Sequence, residues 1–168
     1  MGEGTWPDDW DERMAGRDCP LCDALGPQDN DFLVGVHHGR WADVFLERRS
    51  RLPGYCVVVW DGAHVAEPSD LAPEDAAGYG AEVVDVGRAL RDLLDPAKIN
   101  YLTLGNGVPH LHTHVVARPR AGDPVPGGPL PWDAMVGPHP RPEAELRAQA
   151  TDIRRRLDGG RRPGRPVG

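Results

Sequence analysis

The first half of the chain alternates apolar and polar residues in a way that predicts consecutive β-strands. Residues 32–38 and 41–47 carry alternating apolar and β-branched side chains on either side of His38-Gly39-Arg40, which is typical of an antiparallel hairpin. Residues 55–60 form a continuous apolar run bounded by Pro-Gly and Asp-Gly pairs, which favours a central strand.

A long amphipathic helix is predicted between Pro73 and Pro96. Pro73 suits the first helical turn, and the acidic residues after it oppose the positive end of the helix dipole. Three glycines, Gly78, Gly80 and Gly87, each cost the helix about 1 kcal/mol relative to alanine, so we attribute them to close packing against a strand. The apolar face that recurs at three and four residues consists of Ala76, Tyr79, Val83, Val86, Leu90 and Leu93.

Two further strands are predicted at residues 99–104 and 111–117, joined by a turn at Gly-Asn-Gly 105–107. Strands with one long helix between them favour an α+β domain built on an antiparallel sheet with one packed helix. An irregular C-terminal extension follows, and residues 143–157 have the apolar stripe of a short helix.

The ends of the chain differ from its middle. Residues 1–17 show no clear period, which predicts a flexible arm before the domain at residues 18–119. Residues 120–157 form a Pro/Gly-rich flap followed by the C-terminal helix, and we expect Trp132 and Met135 of the flap to dock on the body of the domain.

Charge and hydropathy then restrict the class of protein. The 168 residues include 26 acidic and 19 basic ones and carry a net charge of −7, which argues against nucleic acids and membrane surfaces as partners. The Gly/Pro-rich tail at 158–168 is predicted to be disordered. The chain has neither the ~20-residue apolar run of a transmembrane helix nor an apolar signal segment at its start, so we expect a cytoplasmic protein.

A pair of cysteines, Cys19 and Cys22, is the first candidate for chemistry. Two thiolates at this spacing can hold one tetrahedral zinc ion if two further ligands exist, for which His64 and His110 are the candidates. The alternative is that both cysteines are ordinary buried thiols and His64 is a surface or capping histidine. Cys56 lies in an apolar strand and is assigned to the core.

The densest signal is the run of alternating histidines His110, His112 and His114. Side chains alternate across a strand, so the three imidazoles point to one face and the intervening residues to the other. Histidine can be a nucleophile, a general acid or base, or a metal ligand, and the spacing alone leaves these open, as well as a merely solvated strand face. Arg118 and the Gly-Asn-Gly turn at 105–107 would suit a phosphate, which favours phosphoryl chemistry.

The segment His-Leu-His-Thr-His-Val-Val at 110–116 resembles the signature of the histidine triad family of nucleotide hydrolases and transferases. Together with the strand at 53–60, His64 and the cysteine pair, the similarity extends over residues 18–119. The resemblance implies that His112 attacks the α-phosphate of a nucleotide conjugate or dinucleoside polyphosphate and forms a covalent nucleotidyl-histidine, while His114 holds a phosphate oxygen.

The same resemblance assigns further residues. The backbone around Asn106 and Gly107 would stabilise developing negative charge, Asn100 would help to shape the pocket, and Glu47 would contact the ribose, unless Glu47 is a solvated strand-end residue. Many relatives carry Gln and Ser where this chain has Asn106 and Gly107, so the leaving group is not predicted. Zinc-bearing relatives share the layout of Cys19, Cys22, His64 and His110, and relatives are commonly homodimers.

Two other functions stay open at the level of sequence. The three histidines could bind a catalytic metal, although no carboxylate accompanies them. Alternatively, the chain could bind nucleotides without turnover.

Overall fold

The computed structural model describes residues 4–26, 28–135, 137 and 141–159, and shows a five-stranded antiparallel sheet covered by helices. The spatial order of the strands is β1-β2-β3-β5-β4, so β3 is central as predicted. The strands are β1 (Leu33–His38), β2 (Ala42–Glu47), β3 (Cys56–Trp60), β4 (Lys98–Leu102) and β5 (His112–Arg118).

One face of the sheet packs against the long helix α3 (Pro73–Leu94) and the C-terminal helix α5 (Glu143–Gly159). Most of the predicted apolar face of α3 lies in this core, including Val86 and Leu90, which are fully buried. Ala89 is buried there as well, and Ala76 lies outside the cluster. Burial of such side chains contributes about 1.5–3 kcal/mol each, and this interface is the larger of the two cores. The predicted α+β fold class is therefore confirmed.

Two of the three helix glycines have the predicted packing role. A Cβ added at Gly78 would overlap the indole of Trp41, and one at Gly87 would overlap the hydroxyl of Tyr101. At Gly80 no atom lies within 4 Å of an added Cβ, so packing does not explain that glycine. Gly80 lies on the exposed side of α3, whereas Gly78 is buried, and the periodicity of the apolar residues alone does not distinguish the two glycines.

The opposite face of the sheet is covered by short segments from both ends of the chain. Helix α2 (Pro20–Ala24) and helix α4 (Trp132–Met135) lie over it, and Met135 is buried there with Phe45 and Val57 of the sheet. Leu130 is buried in the same cluster, so the flap segment docks on the domain where it reaches this face.

The N-terminal arm contains a helix, α1 (Trp10–Met14), in the part that the sequence pattern left without a period. Beyond α1, Gly16 adopts a φ of +83°, and its backbone approaches the ring of His64 so closely that a Cβ would contact it. At the other end, α5 extends through Asp158 and Gly159, and the rest of the predicted tail lies outside the described residues.

The register of the sheet positions the candidate chemistry. His112 and His114 pair with Val59 and Val57 of β3, so both imidazoles project from the middle of the sheet on the face covered by α2 and α4. The alternate residue, Thr113, points to α3, where its hydroxyl lies 2.9 Å from that of Tyr79. The predicted alternation along this strand is present, but both sides are packed, because Val57 and Val116 on the histidine side belong to a buried apolar cluster of their own.

Candidate active site and metal centre

His112 is held with one ring nitrogen engaged by the backbone. Its Nδ1 donates to the carbonyl oxygen of His110 over 2.6 Å, and the residue is 8% exposed. In a neutral imidazole with the proton on Nδ1, the other nitrogen, Nε2, carries a lone pair. Burial lowers the pKa of His112, although the backbone carbonyl partly opposes this shift, so the neutral form is favoured near neutral pH.

His114 lies beside His112, with 4.8 Å between the ring centroids. The hydroxyl of Tyr55 lies 2.8 Å from its Nδ1, and the indole of Trp132 meets the imidazole edge to face at a centroid distance of 5.6 Å. Burial, and then the positive charge that His112 can carry, lower the pKa of His114 to about 4. Two neutral imidazoles therefore lie side by side on this face.

His110 points away from the other two histidines and towards the cysteines. Its Nε2 donates to the carbonyl oxygen of Trp60 over 2.9 Å, which leaves Nδ1 facing Cys19 and Cys22 at 3.5 and 3.3 Å from their sulfur atoms. His64 completes the group, with its Nδ1 3.4 Å from the sulfur of Cys22.

The four residues fit a tetrahedral metal ion. One ligand atom from each of Cys19, Cys22, His64 and His110 lies within 4.8 Å of all the others. Zinc bonds of ~2.3 Å to sulfur and ~2.0–2.1 Å to nitrogen place ligands about 3.6 Å apart in a tetrahedron, close to the distances found here. The hydrogen bond from His110 to the Trp60 carbonyl is the kind of contact that orients a metal-bound histidine.

The protonation of the cysteines matters for such an ion. Burial, and then the hydrogen bond and charge of Cys19, raise the pKa of the Cys22 thiol to about 11. Zinc binds the thiolate, so an ion would have to displace this proton, and its binding would become weaker as the pH falls.

The loop after α2 is attached to the sheet, because the Gly26 N–H donates to the buried Asp43 carboxylate over 2.7 Å.

The structure distributes the predicted phosphate-binding residues over two regions. Asn106 and Gly107 are exposed on the loop that enters β5, next to Gly105, whose φ of +71° forms the turn. Glu47 ends β2 on the same face of the sheet as the histidines, is 7% exposed, and accepts the Arg49 N–H over 3.0 Å. Burial raises the pKa of the Glu47 carboxyl, while the Arg49 N–H and side chain partly oppose this.

Arg118 and Asn100 line a cavity of about 720 Å³ between β4 and the segment at 119–130. All five N–H donors of Arg118 are used: two on Asp123 and three on the oxygens of Asn100, Val125 and Gly128. Arg118 therefore fastens the C-terminal segment, and all of its N–H groups have protein acceptors in this arrangement.

A family model described as the HIT domain matches residues 38–121, which is half of the chain and includes strands β2 to β5 and the three histidines. The chain belongs to the HIT family. A comparison with curated proteins found no significant match.

Solved HIT structures share the fold. A histidine triad protein from Sinorhizobium meliloti 1021 is 31% identical, covering 74% of this chain and 89% of its own, with a TM-score of 0.66. One from Bradyrhizobium japonicum is 26% identical over 76% of this chain and 92% of its own, also with a TM-score of 0.66. A zinc-bound family protein from Mycobacterium smegmatis is 21% identical over 84% and 94% of the two chains, with a TM-score of 0.60.

Within this HIT fold, Tyr55 is the site residue that the sequence pattern did not indicate. It begins an apolar run in the sequence, so the pattern indicates only a core residue, and its side chain is indeed fully buried. Its hydroxyl reaches His114 because β3 and β5 are neighbours, although the two residues lie 59 positions apart.

Within the described residues, every helix is too short or too polar to cross a lipid bilayer.

Proposed function

We propose that this protein is a nucleotide hydrolase or nucleotidyl transferase in which His112 attacks the α-phosphorus of a nucleotide conjugate or dinucleoside polyphosphate. The observation that carries the proposal is the hydrogen bond from His112 Nδ1 to the His110 carbonyl oxygen, 2.6 Å long. It holds the ring with its Nε2 lone pair away from the backbone, which is what a nucleophilic imidazole needs.

The reaction has two displacements. In the first, the Nε2 lone pair forms a bond to the α-phosphorus while the bond from phosphorus to the leaving group breaks and the leaving group takes the electron pair. In the second, water attacks the same phosphorus, the P–N bond breaks, and the electron pair returns to His112. A nucleotidyl acceptor in place of water would make the protein a transferase.

Other residues would support these steps. His114, whose ring centroid lies 4.8 Å from that of His112, would contact an oxygen of the same phosphate. The backbone N–H groups around Asn106 and Gly107 would stabilise negative charge as it develops, and Glu47 would accept hydrogen bonds from the ribose hydroxyls. Arg118 and Asn100 are left out of this site because Arg118 is fully paired with the C-terminal segment.

We also propose that Cys19, Cys22, His64 and His110 hold a structural zinc ion. The ion would link α2 to the start of β5 and to the loop that contains His64, and so would stabilise the fold. The role of His110 is then that of a ligand and of a carbonyl acceptor for His112, and the reaction proceeds on the next two histidines.

A catalytic metal on the histidine triad has less support. Among the residues that the structure describes, the groups close enough to share one ion do not include His112 or His114. A non-catalytic nucleotide-binding protein would keep the same pocket, and only a turnover measurement separates it from an enzyme.

The experiment is to trap the covalent adduct. The protein is incubated with α-phosphate-labelled nucleotide conjugates and dinucleoside polyphosphates, quenched, and analysed by intact mass and peptide mapping. We expect an acid-labile nucleotidyl group on His112 that is absent from His112→Ala. Turnover without label, in a protein that loses its activity when the metal is removed but stays folded, would support the metalloenzyme instead. Binding without turnover would support the non-catalytic module.

A further inference from the structure

The two neighbouring histidines of the site have different hydrogen-bond partners. His112 Nδ1 faces a carbonyl oxygen, which can only accept, so this nitrogen carries the proton. His114 Nδ1 instead faces the hydroxyl of Tyr55 at 2.8 Å, and a hydroxyl can either donate or accept. The protonation of His114 therefore depends on which way the Tyr55 hydrogen points.

The surroundings of Tyr55 decide that direction. Its side chain is fully buried, and in the part of the chain that the structure describes its hydroxyl makes one hydrogen bond, the contact with His114. The nearby Glu47 carboxylate accepts from the Arg49 N–H. If His114 Nδ1 donated to Tyr55, the O–H of Tyr55 would be buried without an acceptor, which is unfavourable.

The hydroxyl also keeps its proton. Burial, and to a smaller extent the charge of Glu47, raise the pKa of Tyr55 well above its usual range. A protonated, buried phenol whose neighbour is an imidazole nitrogen satisfies both groups by donating to that nitrogen.

We infer that Tyr55 is a positioning residue that donates its hydroxyl hydrogen to His114 Nδ1 and thereby places the proton of His114 on Nε2. The adjacent imidazoles then have opposite tautomers: His112 offers a bare Nε2 and His114 an Nε2–H. This inference deepens the proposed function, because a phosphate between the two rings would meet a nucleophile from one and a hydrogen-bond donor from the other.

Opposite tautomers have a clear advantage at a phosphorus centre. A second bare nitrogen would repel the phosphate oxygens, whereas an Nε2–H neutralises part of their charge while His112 approaches. The arrangement requires no charged histidine, which agrees with the burial that lowers the pKa of His114. Tyr55 acts through His114 and does not itself need to touch the substrate.

The test compares Tyr55→Phe with Tyr79→Phe, a matched control. Tyr79 is also buried, and its hydroxyl bonds the Val58 carbonyl oxygen at 3.1 Å and the Thr113 hydroxyl at 2.9 Å on the opposite face of the sheet. Both variants lose one buried hydroxyl from a ring that otherwise packs unchanged, but only Tyr55→Phe removes a group that contacts His114.

The first measurement needs no substrate. Two-bond ¹H–¹⁵N spectra of the full-length protein labelled on histidine report the tautomer of each ring. We expect the Nε2–H form for His114 in the wild type and in Tyr79→Phe, and a shift towards the Nδ1–H form in Tyr55→Phe. A wild-type His114 protonated on Nδ1 would overturn the inference, as would an unchanged His114 spectrum in Tyr55→Phe.

The second measurement is turnover with the substrates that label His112. We expect Tyr55→Phe to lower kcat by roughly ten- to a hundred-fold relative to Tyr79→Phe, with a much smaller change in KM, as is typical when an outer hydrogen-bond partner is removed. Equal kcat values for the two variants would contradict the positioning role. Failure of the proposed function shows separately, as absence of turnover and label in the wild type, and the spectra still decide the tautomer.

Discussion

His112 is the residue on which the proposed chemistry depends most directly. We expect His112→Ala to lose turnover by several orders of magnitude, because the side chain that forms the covalent bond is gone. Nucleotide binding and the far-UV circular dichroism spectrum should be retained, since the loss involves one side chain at a strand that is paired on both sides. Turnover within about tenfold of the wild type would contradict the nucleophile assignment.

His114 makes the stability of the protein depend on pH. Its pKa is lowered to about 4 by burial and by His112, against ~6.5 in an unfolded chain. The unfolded state therefore binds more protons between these values, so the stabilising contribution is complete above pH ~6.5 and is lost as the pH falls towards 4. The loss amounts to about 3 kcal/mol of the free energy of unfolding.

Urea unfolding of the wild type and of His114→Gln checks this dependence. Between about pH 7 and about pH 4.5, the wild type should lose more stability than the variant, which has no imidazole to protonate at this position. Equal losses in both proteins would show that other groups dominate the acid sensitivity.

At the scale of single elements, helix α3 shows how the same residue type has two different roles. Gly78 lies under the indole of Trp41, while Gly80 is exposed with open space around an added Cβ. The sequence pattern assigns both to close packing, because a glycine contributes nothing to the apolar period that would distinguish them. Only the positions of the neighbouring side chains separate the two.

Opposite effects of alanine at these positions are expected. Gly80→Ala should raise the free energy of unfolding by about 0.5–1 kcal/mol, because it stiffens the unfolded chain and favours the helix. Gly78→Ala should lower it by about 1–3 kcal/mol, since Trp41 must move to accommodate the Cβ. Chemical denaturation of both variants checks this, and a change of the same sign in both would refute the packing explanation.

The whole molecule is assembled from segments far apart in the chain. The proposed zinc ligands come from α2, from the loop after β3 and from the start of β5, and Cys19 and His110 lie 91 positions apart. Arg118 and Asp123 fasten the flap segment over β4, and α5 completes the core next to α3 with the fully buried Ile153. In the described residues, helix α2 near one end and helix α5 near the other are thus part of the packed domain.

Zinc should therefore affect global stability. We expect the purified protein to contain about one zinc ion per chain, and Cys22→Ser to lose the ion together with a substantial drop in Tm, because structural zinc contributes directly to folding. Cys56→Ala is the matched control: Cys56 is buried in β3 outside the ligand group, so this variant should keep its zinc. Metal analysis and thermal unfolding with and without chelator measure both effects, and an unchanged metal content in Cys22→Ser would exclude the site.

Local periodicity accounts for what the sequence determined by itself. The period of two between 110 and 114 predicts that all three histidines share a face, and the three- and four-residue spacing predicts the buried face of α3, because these patterns follow from the geometry of a single strand or helix. His112 and His114 lie side by side, whereas His110 precedes β5 and turns towards the cysteines, which the period does not predict. The fold class follows from the order of such elements, and the cysteine pair predicts half of a metal site from its spacing alone.

Only the tertiary structure decided the contacts between distant residues. Strand register brings the Tyr55 hydroxyl to His114, and the return of the flap gives Arg118 its partner Asp123. Packing against Trp41 separates Gly78 from Gly80. In each case the partner is set by which elements are neighbours in space and by which polar groups remain unpaired when they meet, and neither property is encoded in a local repeat.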